Sequence, residues 1–329
     1  MLVQLLILPV GFGRVLPALA DGQEEDLHFR ALTSMTPIQF QRRTAQPPGT
    51  RPPRGDRLGH MVLLRVDAGP LVPRLRSELA ALLTSLTDGD WAQPTSCPGW
   101  SVHDVAAHLL GVELGNVSVR RDRRRLGPGK GENLDTWLNR FNQQWVDAAR
   151  RISPALLIEL INVAGLRFEE YLATLDLDAT GGPVPWATGS DPAPVWLDVA
   201  REYMERYVHQ QQIRDATRRP PLGAAFTGPV LETAAHALPR ALDQVTRPAG
   251  TVVTFTAEGE GGGAWHVVRA AARWELAPAR PAPAAACQAW TTVAGALRRY
   301  ARDPSAPPLT WQGDRELADA LAGVKAVLG

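Results

Sequence analysis

Cysteine is nearly absent from this 329-residue chain: Cys97 and Cys287 lie far apart, and neither belongs to a CxxC pair. A disulfide framework and a sulfur-rich zinc site are thereby excluded, and a reducing, cytoplasmic compartment is expected. Charge of one sign is equally lacking. The net charge of +1 gives no global field toward nucleic acid or membrane, so the expected partners are small molecules and the chain itself is a monomer or weak homodimer. Long apolar runs are missing as well. The apolar stretch over residues 1–20 is too short and broken to span a bilayer. It ends in Ala18-Leu19-Ala20, as a signal-peptidase site does, yet it has no basic leader and is interrupted by Pro9 and Arg14. Histidine is scarce, with seven residues, whereas ten tryptophans outnumber both phenylalanine and tyrosine. Those rings are expected to form core.

What is present divides the chain in three. Residues 1–60 end in a Pro/Arg/Gly-rich linker, Pro47 to Gly59. Leu27-His28-Phe29-Arg30-Ala31-Leu32-Thr33 and Met35-Thr36-Pro37-Ile38-Gln39-Phe40-Gln41 resemble the edge of an AraC-type helix-turn-helix, too short to dock in a groove. We read residues 1–60 as a poorly ordered extension, an AraC-like remnant or a miscalled start, with Met61 as the functional start. A DNA-binding regulator is the reading this segment would support. From residue 61 to 222, apolar residues recur at helical spacing in five stretches. One is Leu71, Leu75, Leu79, Leu82, Leu83 and Leu86, and another runs from Val195 to about Thr217 before Pro220-Pro221. Ser101 and Asp104 form a capping-box-like start for the second helix. The basic run Arg120 to Arg125 reads as a solvated helix end. Five helices without a convincing strand among them indicate an up-and-down bundle. Residues 223–329 differ. Thr251 to Thr256 and Ala264 to Val268 flank the turn Gly259 to Gly263 as a hairpin would, and helical patterns resume at Leu231 to Val245, Thr291 to Tyr300 and Glu316 to Val327. The fold class is therefore α+β overall, a helical bundle followed by a small α+β domain.

Two histidines stand out. Glu205 and His209 are four apart on a helix, which puts both on one face within reach of a single ion. His108 sits mid-helix on the edge of an apolar stripe, and facing helices of a bundle commonly supply metal ligands together. The same spacing also describes an exposed i,i+4 ion pair. At 100° per residue, Trp196, Ala200, Tyr203 and Tyr207 cluster on one side of their helix, with Glu205 and His209 almost opposite. That polar face lines an internal site or faces water. Cys97 competes as a nucleophile, but no base or charge adjoins it in sequence.

Longer motifs surround these residues. Asp90-Trp91, Pro94-Thr95, Cys97-Pro98-Gly99-Trp100-Ser101-Val102, Asp104-Val105 and Ala107-His108-Leu109 resemble the first motif of the mycothiol-dependent maleylpyruvate isomerase family, within the DinB-like superfamily. Leu138 to Asn142 with Trp145-Val146 resembles its third helix, and Glu205 to Ala216 its second metal motif. Thr310 to Ala318 resembles the end of its sterol-carrier-protein-like C-terminal domain. The resemblance implies a divalent metal, with zinc the expected ion, held by His108, Glu205 and His209. It also implies mycothiol or a similar thiol as cosubstrate, for isomerisation or thiol transfer on a small electrophile. Asp104 and Gln212 are candidates for orienting the ligands, although Asp104 also caps its helix and many relatives carry an acid where this chain has Gln212. A non-catalytic metal-binding or small-molecule-binding protein of the same fold is the alternative.

Overall fold

The computed structural model describes residues 63–124, 126–278, 284–301 and 303–326; the extension expected over residues 1–60, with its AraC-like segment, lies outside them. A 3-10 turn at Gly69–Leu71 leads into α1 (Val72–Thr84), then short α2 (Asp88–Trp91) and α3 (Val102–Asn116). A π-helical turn, Val117–Arg121, extends α3 before α4 (Leu134–Ala149) and α5 (Pro154–Leu172). The reading of α3's start holds: the Asp104 amide donates to Ser101 Oγ and the Ser101 amide to the Asp104 carboxylate. Two short strands that the apolar pattern does not reveal follow, β1 (Thr180–Pro183) and β2 (Pro192–Pro194), with α6 (Pro185–Thr188) between them. They carry glycine and proline rather than alternating apolar residues, so period-2 analysis passes over them.

The 22-residue α7 (Val195–Ala216) links the two halves of the molecule. Beyond it come α8 (Ala224–Ala234), α9 (Leu238–Ala241), β3 (Val252–Glu258), β4 (Gly263–Arg269), β5 (Trp274–Ala277) and β6 (Cys287–Thr292). They are followed by α10 (Val293–Tyr300), β7 (Thr310–Gly313) and α11 (Arg315–Ala322). The expected hairpin is β3–β4, with Phe255 opposite Trp265. The sheet has the order β5-β4-β3-β6-β7, antiparallel except for the parallel β3–β6 pair. The helix expected from Leu231 to Val245 is broken by a 3-10 turn at Ala235–Ala237 and by Pro239 at the start of α9.

Two large apolar clusters hold most of these elements, and a small third one gathers Trp137 and Leu138 of α4. One, within the helices, gathers Leu79, Leu83, Leu109, Leu110, Leu157 and Ile161 from α1, α3 and α5. The other crosses residue 222 without interruption, joining Trp196, Tyr203 and Tyr207 of α7 to Leu231, Phe255, Trp274 and Leu317. Among the described residues no helix is long and apolar enough to cross a membrane.

Helices α3 and α4 pack tightly at Gly111, where an added Cβ would lie 2.3 Å from Trp145 Cδ1. Trp145 is fixed there by its Nε1–H, which donates to the Ala107 carbonyl at 2.9 Å. Gly111→Ala gains about 1 kcal/mol of helix propensity but overpacks this contact at a cost of about 1–3 kcal/mol. A lowered thermal midpoint is expected in calorimetry; an unchanged or raised one would mean that Trp145 can turn aside.

Candidate metal centre

Helix α7 is buried on both faces, which resolves the ambiguity of its helical wheel. Trp196, Tyr203 and Tyr207 face the core shared with the sheet, while Glu202, Glu205, Arg206 and His209 are equally buried on the side that meets α3. The opposing helix is apolar around much of its circumference, with Val105, Ala106, Leu109 and Leu110 inaccessible, and it presents His108 to α7.

The three residues singled out in sequence converge. Glu205 Oε1 lies 3.1 Å from His108 Nε2 and 3.1 Å from His209 Nε2, and one donor atom from each residue falls within 4.8 Å of the others. The imidazole centroids are 4.6 Å apart. Glu205 Oε2 is buried and has no hydrogen-bond partner, a costly state for a carboxylate oxygen. Burial would raise the Glu205 pKa, but the charge of His209 and hydrogen bonds from both imidazoles outweigh it and hold the carboxyl well below its ordinary range. Burial likewise disfavours a charged His209, yet the Glu205 carboxylate, with Cys97 hydrogen-bonding, raises its pKa well above the ordinary value. For His108 burial prevails over the Glu205 hydrogen bond, and the pKa is lowered. The Glu205 carboxylate thus favours the protonated form of His209 over that of His108.

Gln212 and Asp104 part company. Gln212 Oε1 accepts from His209 Nδ1 at 2.7 Å, one turn along α7. Asp104 instead binds the N-terminus of α3 and the Arg150 guanidinium, at 2.9 Å from Nε; no hydrogen bond joins it to His108. Trp100 packs against His108, centroid to centroid 5.1 Å, and its Nε1–H donates to Gln143.

Sequence reasoning left two features of the site undetected. Cys97, distant in sequence from any base, has its thiol 3.1 Å from Gln212 Oε1 and beside His209. Next to the triad, α3 and α7 also form a buried polar ladder. Glu113 accepts a bidentate pair from Arg206 at 2.8 and 2.9 Å, Asn116 donates to Glu202 at 2.7 Å, and Arg120 pairs with Asp198 and Glu202. Arg120 thus corrects the reading of its run as solvated: the π-helical turn directs its side chain into the interface, whereas Arg121 stays exposed beside Asp122. The signal was available in the helical spacings Glu113/Asn116/Arg120 and Asp198/Glu202/Arg206, which place one polar stripe of mixed charge on each of the two segments.

Residues 72–214 match the family model described as the mycothiol maleylpyruvate isomerase N-terminal domain. Among solved structures, a histidine-to-alanine mutant of the mycothiol-dependent maleylpyruvate isomerase aligns with a TM-score of 0.48 and 12% identity, over 75% of this chain and 92% of that one. The unmutated isomerase aligns over the same shares with a TM-score of 0.46 and 12% identity. No curated protein matches the chain at a significant level. Residues 72–214, from α1 to near the end of α7, thus match the mycothiol maleylpyruvate isomerase N-terminal domain family.

Proposed function

We propose that the chain is a divalent-metal-dependent enzyme that uses a low-molecular-weight thiol of the mycothiol kind to isomerise, or transfer a thiol to, a small electrophile. The observation that carries this reading is the His108–Glu205–His209 convergence, with an orphaned carboxylate oxygen at its centre, inside a domain of that family. Two imidazoles and one carboxylate suit Zn²⁺ and leave coordination open to an exogenous ligand. The ion, when bound, would stabilise a coordinated thiolate near neutral pH and so supply the nucleophile that the chain's own cysteines do not.

The protein's share of the work is positioning. His108 and His209 would hold the ion through Nε2, Glu205 through its carboxylate, and Gln212 keeps His209 turned by occupying Nδ1. Trp100 walls one side of His108. Because the ion takes the place of the proton on His209, its affinity is expected to rise with pH toward the raised His209 pKa, with protons released on uptake. Calorimetric titration of the metal-free chain with Zn²⁺ in buffers of different ionisation enthalpy reads both; binding that is independent of pH would contradict the assignment. Activity is tested by thiol-dependent isomerisation and conjugation of a panel of electrophiles. The burial of all three side chains, none more than 2% exposed, favours one second reading, a metal-binding protein without turnover. Metal uptake without any thiol-dependent product would select it.

A further inference from the structure

Behind His209, on the side away from Glu205, three buried polar groups meet at one atom. Gln212 Oε1 is 2.7 Å from His209 Nδ1 and 3.1 Å from Cys97 Sγ. Cys97 is 1% exposed and Gln212 8%, so water does not compete freely for these bonds. The thiol is held where it is by its own loop: the Cys97 amide donates to Thr95 Oγ1 at 3.2 Å, the Trp100 amide donates to the Cys97 carbonyl at 3.0 Å, and Pro94 bridges to Ser101.

A carboxamide has two unlike ends, an acceptor oxygen and a donor NH₂. Only the oxygen can receive both an imidazole N–H and a thiol S–H. Turned over, Gln212 would offer NH₂ to His209 Nδ1, which would then have to accept. In the neutral ring that an ion requires, the one proton would then sit on Nε2, the nitrogen that faces Glu205 and the ion. Which end of Gln212 faces His209 therefore decides which nitrogen is available.

We propose that Cys97 is a positioning residue: its S–H locks the Gln212 oxygen toward His209 Nδ1 and thereby keeps the proton of the neutral ring on Nδ1, leaving Nε2 to the ion. This rests on the metal reading for its purpose but not for its geometry. A carboxylate at position 212 has two equivalent acceptor oxygens and needs no such lock, so the role of Cys97 is specific to glutamine there.

The test compares Cys97→Ser, which keeps a donor, with Cys97→Val, which keeps volume and loses it, each alone and with Gln212→Glu, all in the full chain with folding checked by circular dichroism. Co²⁺ affinity is expected to fall about tenfold in Cys97→Val, as for loss of an outer-shell partner, to remain close to the parent in Cys97→Ser, and not to respond to Cys97→Val once Gln212→Glu is present. A packing role predicts the reverse order, valine being the better tolerated in this apolar shell. The His209 Nδ1–H resonance of the metal-free protein, expected to exchange slowly because its bond to Gln212 is buried and assigned by its loss in His209→Gln, is read in parallel. It should persist in Cys97→Ser and exchange faster in Cys97→Val. If the parent chain binds no Co²⁺, the metal reading fails while this resonance still decides the lock. Equal exchange in the serine and valine variants overturns it.

Discussion

Arg206→Ala is expected to destabilise the protein by about 3–5 kcal/mol, the cost of breaking a buried ion pair by removing one partner. The Arg206 guanidinium engages Glu113 through Nε and Nη2 and the Glu202 carboxylate and carbonyl through Nη1, and it lies 4.3 Å from the Phe168 ring centroid. Its removal leaves Glu113 without its bidentate partner and takes one of three arginines from Glu202. Burial would raise the Glu202 pKa, but Arg201, Arg120 and Arg206 together hold it below its ordinary value of 4.5. The loss should therefore ease in acid, where an unpaired carboxylate can take up a proton in the variant. Urea unfolding of parent and variant at neutral pH and near pH 4.5 measures both terms. A change under about 1 kcal/mol at neutral pH, the value typical of exposed pairs, would show that the ladder is solvated in solution. Arg206→Met with Glu113→Gln should recover much of the stability, since a buried pair replaced as a unit leaves little charge uncompensated.

The second large effect concerns the triad. His209→Ala and Glu205→Gln are each expected to weaken divalent-metal binding by more than the roughly 10–100-fold that follows loss of an outer-shell partner, with thiol-dependent turnover falling alongside. The two differ in what they leave behind. Glu205→Gln removes the negative charge that holds the His209 proton, so its metal-free form should lose that proton at lower pH. His209→Ala opens space beside Glu205, whose second oxygen already lacks a partner, and added imidazole should restore part of the metal affinity there. Metal content by emission spectroscopy after dialysis, together with Co²⁺ titration, checks both. Retention of the ion by either variant would move the site elsewhere.

How much of this was visible in the chain can be judged from particular residues. The helix starting at Ser101 followed from its capping pair, which is local chemistry and survived intact. The β3–β4 hairpin followed from β-rich runs around a glycine turn. β6 was not anticipated, only its last two residues falling inside the helical expectation that begins at Thr291, and it pairs in parallel with β3, from which β4 and β5 separate it in sequence. Alternation along a strand records which face is buried, not which distant strand lies beside it. Arg120 was misread because its sequence neighbours are basic, whereas the carboxylates that bury it, Asp198 and Glu202, come from α7.

The sequence alone determined the residue types able to ligate a metal, their i,i+4 arrangement on α7, and a family likeness now matched over residues 72–214. It could not say whether the Glu205/His209 face met water. Tertiary packing decided that, because an amphipathic wheel records only how one helix differs around its axis. Whether a polar face is solvated depends on what docks against it. Here α3 docks there with His108, Glu113 and Asn116, each matched to a partner on α7, and the loop before α3 brings Cys97 to Gln212. Complementarity between surfaces roughly a hundred residues apart, rather than any local pattern, turns an ordinary helix pair into a buried site.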